Sequence, residues 1–168
     1  GLAPGTYSVT VTDAHGCSGS GSVTITQPEM LVSTAVKTEV SCFGGSDGTA
    51  TVSIAGGTAP YSILWSTGST DATITGLSAG TYSVQVTDAH GCMSSAEVTI
   101  GQPPVLVVTV SGTNVVCFGE NNGTASVSVE GGTAPYSILW STGSTESTIT
   151  GLAPGTYSVT VTDAHGCS

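Results

Sequence analysis

Basic residues are all but missing from this chain. Lys37 is the single base among 168 residues, arginine is absent, and eleven acids leave a formal net charge of -10. Binding to nucleic acid depends on neutralising phosphates with many Lys and Arg side chains, so that class of partner is set aside. The acids are themselves sparse, and both repulsion from anionic surfaces and attraction of divalent cations are expected to be weak. A lone base also leaves trypsin-like proteases almost nothing to cut, which suits life outside the cell. No run approaches the roughly 20 apolar residues of a membrane helix, so no membrane insertion is expected. A secretion leader is missing too, but an internal piece of a longer protein carries none, and export is left open.

Metal and phosphate motifs are equally scarce. The five cysteines fall at 17, 42, 92, 117 and 167, without the CxxC pairs of zinc ribbons. Two regularly placed cysteines per small, Lys-poor, Thr-rich unit read as disulfides in an oxidising compartment. The Gly-rich turns CFGGSDG and AGGTAP are followed by no GK[ST] and no helical pattern, so they are not phosphate loops.

What is present is repetition. GLAPGTYSVTVTDAHGC at Gly1–Cys17 returns unchanged at Gly151–Cys167 and with three substitutions at Gly76–Cys92, a period of 75 residues. TAPYSILWSTGST at Thr58–Thr70 returns at Thr133–Thr145. An enzyme needs one asymmetric site, whereas near-identical tandem units build length. The phase divides the chain into the C-terminal part of one repeat (residues 1–30), a complete repeat (31–105) and most of the next (106–168). It reads as a window on a longer array. A 75-residue unit buries only about 60–65% of its unfolded surface and is marginal without help.

Within a repeat the apolar residues alternate with period 2, the mark of half-buried strands. Ala50, Val52 and Ile54 share one face of Gly48–Ala55. Tyr82, Val84 and Val86 share one face of the next long strand, followed by Ala96, Val98 and Ile100. Tyr61, Ile63 and Trp65 are expected to line the inside of a central strand with Trp65 as core anchor; Leu31 to Val40 supplies the first strand. Gly-rich turns punctuate the runs every 8–12 residues, which predicts an all-β sandwich. A short strand, Leu77, a Gly-containing corner and then Tyr82 match a tyrosine corner, with Tyr7 and Tyr157 in equivalent places. Gln102-Pro103-Pro104 joins one unit to the next as a short, stiff linker.

The ordered set CFGGSDGTATVSIAGGTAPYSILWSTGSTDATITGLSAGTYSVQVTDAHGC resembles the SprB repeat of Bacteroidetes surface proteins, named after a very large gliding adhesin. The resemblance covers essentially the whole chain. It implies tandem immunoglobulin-like β-sandwich modules in an exported cell-surface adhesin or filament protein.

The pairs Asp13/His15, Asp88/His90 and Asp163/His165 sit in repeated DAHG turns and invite catalysis or metal binding. The turn reading is preferred, because Asp closes an Asx-turn, Gly takes the positive φ, and no nucleophile is tied to the His. Calcium at module junctions is the one cofactor left open. It is disfavoured because Asp47 becomes Asn122 and Glu39 becomes Asn114 in the next copy, whereas calcium needs several carboxylates. Trp65 and Trp140 read as core rather than sugar platforms. The Asn122-Gly123-Thr124 sequon lacks a counterpart at Asp47 and carries little weight.

The cysteine pairing has three candidate solutions. Cys42 with Cys92 and Cys117 with Cys167 stay within a repeat and close about 50 residues, whereas Cys42 with Cys167 spans two repeats and closes about 125. A third option, Cys92 with Cys117, closes about 25. Chain entropy values these at roughly 4, 5 and 3.5 kcal/mol, too close to choose between. Geometry decides, since the two Cα atoms must lie within about 7 Å. With six strands, the turns holding Cys42 and Cys92 share an end; a seventh strand hidden in STGST would send them to opposite ends. The brevity of Trp65–Ala72 favours six strands and the internal pairs, with Cys42–Cys167 as the alternative and Cys17 joined to a cysteine outside the chain. The expected function is a non-catalytic stalk or filament segment of an extracellular adhesin. Its partners are neighbouring repeats; surface glycans and other copies in a fibre are the alternatives.

Overall fold

The computed structural model describes residues 1–168 as thirteen strands with no helix. An N-terminal hairpin, β1 (Gly5–Thr12) and β2 (Ser18–Ile25), precedes a complete six-stranded module. That module comprises β3 (Val32–Thr38), β4 (Gly48–Ala55), β5 (Ser62–Trp65), β6 (Thr73–Leu77), β7 (Gly80–Thr87) and β8 (Met93–Ile100). A second module follows with β9 (Val107–Thr113), β10 (Gly123–Glu130), β11 (Ser137–Trp140), β12 (Thr148–Leu152) and β13 (Val159–Thr162).

Each module is two antiparallel sheets face to face, as the alternation predicts. In the first module they run β3-β4-β6 and β5-β7-β8; in the second, β9-β10-β12 and β11-β13. Inward residues of both sheets form the core: Ala50, Val52, Ile74 and Leu77 from one, Trp65, Val84, Val86, Val98 and Ile100 from the other. Trp65 is 2% exposed, and its indole N–H donates to the Asp71 carbonyl at 2.9 Å, so the one polar atom it buries is paired. Trp140 repeats both features through Glu146. Tyr82 donates to the Ser78 carbonyl four residues upstream, as Tyr7 does to Ala3 and Tyr157 to Ala153, which makes three tyrosine corners. Tyr61 departs from expectation. It lies outside β5, is 38% exposed, and donates to the Gly56 carbonyl. The strand starts one residue later, at Ser62.

Strand direction is the feature the sequence hides. β4 is antiparallel to both β3 and β6, so β3 and β6 point the same way. β7 is antiparallel to both β5 and β8, so those two agree as well. Contacts between the sheets set their relative sense. The Ser33 amide donates to Ser94 Oγ, Lys37 reaches the Thr99 carbonyl, and the Val40 amide donates to Gly101. Both strands therefore ascend together, and β5 and β6, though consecutive, run in the same direction. The segment between them turns tightly at Ser66–Ser69 (Trp65 N–H to Ser69 carbonyl, 2.9 Å) and crosses to the other sheet, where the Ala72 carbonyl accepts from Val52. No seventh strand forms there.

Trp65→Ala removes the largest buried side chain and is expected to cost about 3–5 kcal/mol. Tyr82→Phe, which loses one hydrogen bond, should cost about 0.5–1.5 kcal/mol. Urea unfolding of both variants checks the ranking, and a Tyr82→Phe cost equal to that of Trp65→Ala would show that the Trp is not the anchor.

Candidate functional site: the module junction

The direction of the strands decides where the cysteines lie. Cys42 follows β3 at the upper end of the first module, while Cys92 sits in the β7–β8 turn at the lower end. The internal pairing favoured on strand count is therefore wrong although the count of six is right, because strict up-and-down alternation fails between β5 and β6. The bond that forms is Cys42–Cys167, with Cα atoms 5.8 Å apart and 125 residues apart in sequence. Cys117 accordingly does not pair with Cys167; Cys17, Cys92 and Cys117 are free and exposed.

The bond stands beside the linker. Pro103, Pro104, Val105 and Leu106 line a cleft of about 260 Å³ together with Cys42 and Cys167. Gln102, overlooked in the sequence except as a linker residue, accepts the Gly44 amide through Oε1 at 2.8 Å and so fastens the cysteine loop to the linker. The recurrence of Gln27-Pro28 as Gln102-Pro103 was the available signal. On the other module's side the Gly132 amide donates to Pro104. Gly131 and its counterpart Gly56 have positive φ, and a Cβ there would lie 1.9 Å from the Val105 carbonyl or 2.1 Å from that of Met30. Only glycine lets the lower loop approach the incoming linker this closely.

A buried carboxylate shapes the Cys92 and Cys167 turns. Asp163 Oδ1 accepts the His165 and Cys167 amides, both at 2.9 Å, and Oδ2 accepts Thr133. Asp88 does the same with His90, Cys92 and Thr58. Burial opposes the charge of both, yet the amides outweigh it and hold each carboxyl below its ordinary value. The His contributes its backbone amide to this turn. Asp47 Oδ1 accepts the Ser41 amide, and Asn122 Oδ1 accepts Val116 in the same way. Position 47 thus uses a side-chain oxygen rather than a charge, which explains why Asp and Asn alternate there. Hydrogen bonding from Ser41 lowers the Asp47 carboxyl, helped in small part by His165 from across the junction.

No group of three or more His, Cys, Asp or Glu side chains converges anywhere on the chain. A groove of about 590 Å³ is lined by Val110 to Val115, at and just beyond the end of β9, with Leu152 and Tyr157. In the first module β8 fills the matching space, with Ile100 packed over Gly48.

The family model described as SprB repeat matches residues 34–70 and 109–145. The chain carries SprB repeats. They occur in cell-surface proteins of Bacteroidetes, which, with a disulfide in the chain, suggests an extracellular location and an adhesin-like protein. Each matched segment runs from within the first strand to the turn after the Trp and stops short of the Asp–Cys turn that completes the junction. No curated protein matches the chain.

Two outcomes are expected. Non-reducing peptide mapping after alkylation should give one linked pair, Cys42 with Cys167, and three alkylated cysteines; a Cys42–Cys92 peptide would overturn the junction bond. The second concerns acid. Carboxyls lowered in the folded state bind fewer protons there than in the unfolded chain. The stability they add is therefore complete above the unfolded Asp value of about 3.9 and is lost as pH falls through the lower folded values. Thermal melts should be level from pH 7 to about 5 and decline below about 4, with a shallower decline in the Asp88→Asn, Asp163→Asn double variant. An unchanged decline would rule out these two groups as its source.

Proposed function

We propose that the chain is a structural segment of the stalk or filament of a secreted adhesin, without catalytic activity or a resident cofactor, and that its partners are the repeats on either side. The observation that carries this is the Cys42–Cys167 bond, a covalent tie between successive modules beside a proline-stiffened linker. A module meant to present its own site has no need to be welded to its neighbour, whereas a spacer gains reach from a junction that does not hinge. Eight-residue strands at about 3.3 Å per residue make a module about 25 Å long, and about 35–40 Å with its junction. Many such units would hold a distal binding region far from the cell.

A second reading rests on two aromatics. Phe43 is 56% exposed beside the junction, and Phe118, its counterpart, is fully exposed. Rings presented on loops can stack on sugars, which would make the repeats themselves adhesive. A glycan array probed with the oxidised chain separates the two. The stalk reading expects no binding; micromolar binding that is lost in the Phe43→Ala, Phe118→Ala variant would replace it with the adhesive one.

A further inference from the structure

The three free cysteines are not a random residue of the pairing. Cys17, Cys92 and Cys167 occupy the same Asp-braced turn: Asp13 Oδ1 accepts the His15 and Cys17 amides as Asp88 and Asp163 do for their neighbours. Cys117 follows β9 as Cys42 follows β3, in a loop closed by Asn122 as Asp47 closes the first. Every free cysteine is therefore one half of the bond already formed, held in the same local geometry and lacking only its partner module. We propose that Cys42–Cys167 is one rung of an interleaved ladder, in which each loop cysteine pairs with the turn cysteine of the following repeat, and that the ladder caps how far the array stretches under load. This rests on the stalk reading for its purpose, though not for its chemistry. Each rung forms when two thiols give up two protons and two electrons by thiol–disulfide exchange to a disulfide donor, which leaves as a dithiol.

The cap follows from counting the shortest covalent path. A rung bypasses 125 residues with a Cα–Cα step of 5.8 Å. From a turn cysteine to the next loop cysteine, as from Cys92 to Cys117, is 25 residues. Two repeats then contribute about 90 Å of extensible path, at 3.3–3.6 Å per residue, against about 500 Å for the unbonded chain. The folded length of two repeats is about 70–80 Å. A laddered array thus has almost no hidden length to release, even where force melts a module. Pairing within each repeat would give a different result. About 25 residues between the bonds and one rung would be crossed per repeat, about 90 Å each, so the array could more than double in length. The pairing across the junction halves that path and so removes most of the slack.

The test has two arms. In the first, the chain is held by its termini in a force spectrometer under oxidised glutathione. It should extend to about 150 Å, the span of residues 1–42 and 167–168, whereas Cys42→Ser should reach about 580 Å. Should that variant not fold, reducing the tethered unmodified chain reads the same length. Full extension of the oxidised chain would overturn the cap. In the second arm, the chain is lengthened in frame after Ser168 by a further copy of residues 94–168, oxidised and mapped. The ladder expects Cys117 bonded to the new turn cysteine, with Cys17 and Cys92 alkylated; Cys117 left free, or joined to Cys92, would overturn it. Glycan binding by a chain that still resists extension would remove the stalk reading and leave the ladder standing.

Discussion

Everything at the junction depends on two consecutive strands running the same way. β5 ends at Trp65, in the middle of the sandwich rather than at its end, because the tight turn from Ser66 to Ser69 folds back at once and hands the chain to the opposite sheet at Ala72. β6 then climbs in the direction β5 had taken. One reversal is lost, and with it the parity that would have put Cys42 and Cys92 together. The same lost reversal brings β3 and β8 side by side in the same sense, so that the first strand and the chain's exit leave the module at one end, beside Cys42. A bond across the junction is then the one the geometry allows.

The carboxylates at positions 13, 88 and 163 brace the cysteine turns of this arrangement. A turn must hold its cysteine at a fixed height if it is to meet a loop on another module. Asp88 does so with one oxygen on two amides of the turn and the other on the Thr58 amide, across the end of the sandwich. An Asn could supply only one accepting oxygen and would set its NH2 against a backbone donor. At position 47 a single amide is satisfied by a single oxygen, and there the two repeats differ freely. The contrast separates a site that uses both carboxylate oxygens from one that uses either side chain.

Much of this was legible in the residues. Period-2 alternation marks the strands, the Trp identifies the core, and the Leu–Gly–Tyr segment predicts a corner that the Tyr82 hydrogen bond to Ser78 bears out. These are local patterns, and local physics makes them. The pairing of the cysteines is not local. It turns on the sense of one crossing seven residues long, and nothing in STGSTDA distinguishes a hairpin that reverses the chain from a loop that changes sheets. Strand count was therefore an insufficient guide, since the number of strands and the number of reversals need not agree. The role of Gln102 was hidden for the same reason, because its partner at Gly44 is 58 residues away.

The junction bond also changes what stability means for a repeat. A disulfide acts largely by restricting the unfolded chain, and a loop of this length is worth about 5 kcal/mol on that account. A bond within a repeat would give that stabilisation to one module alone. Cys42–Cys167 instead encloses β4 through β13, most of the first module and all the strands of the second. Unfolding of either module leaves the loop closed by the other, so much of the entropy gain is withheld until both have opened. Modules too small to be secure singly thus share one constraint, and the sharing requires the bond to cross the boundary between them.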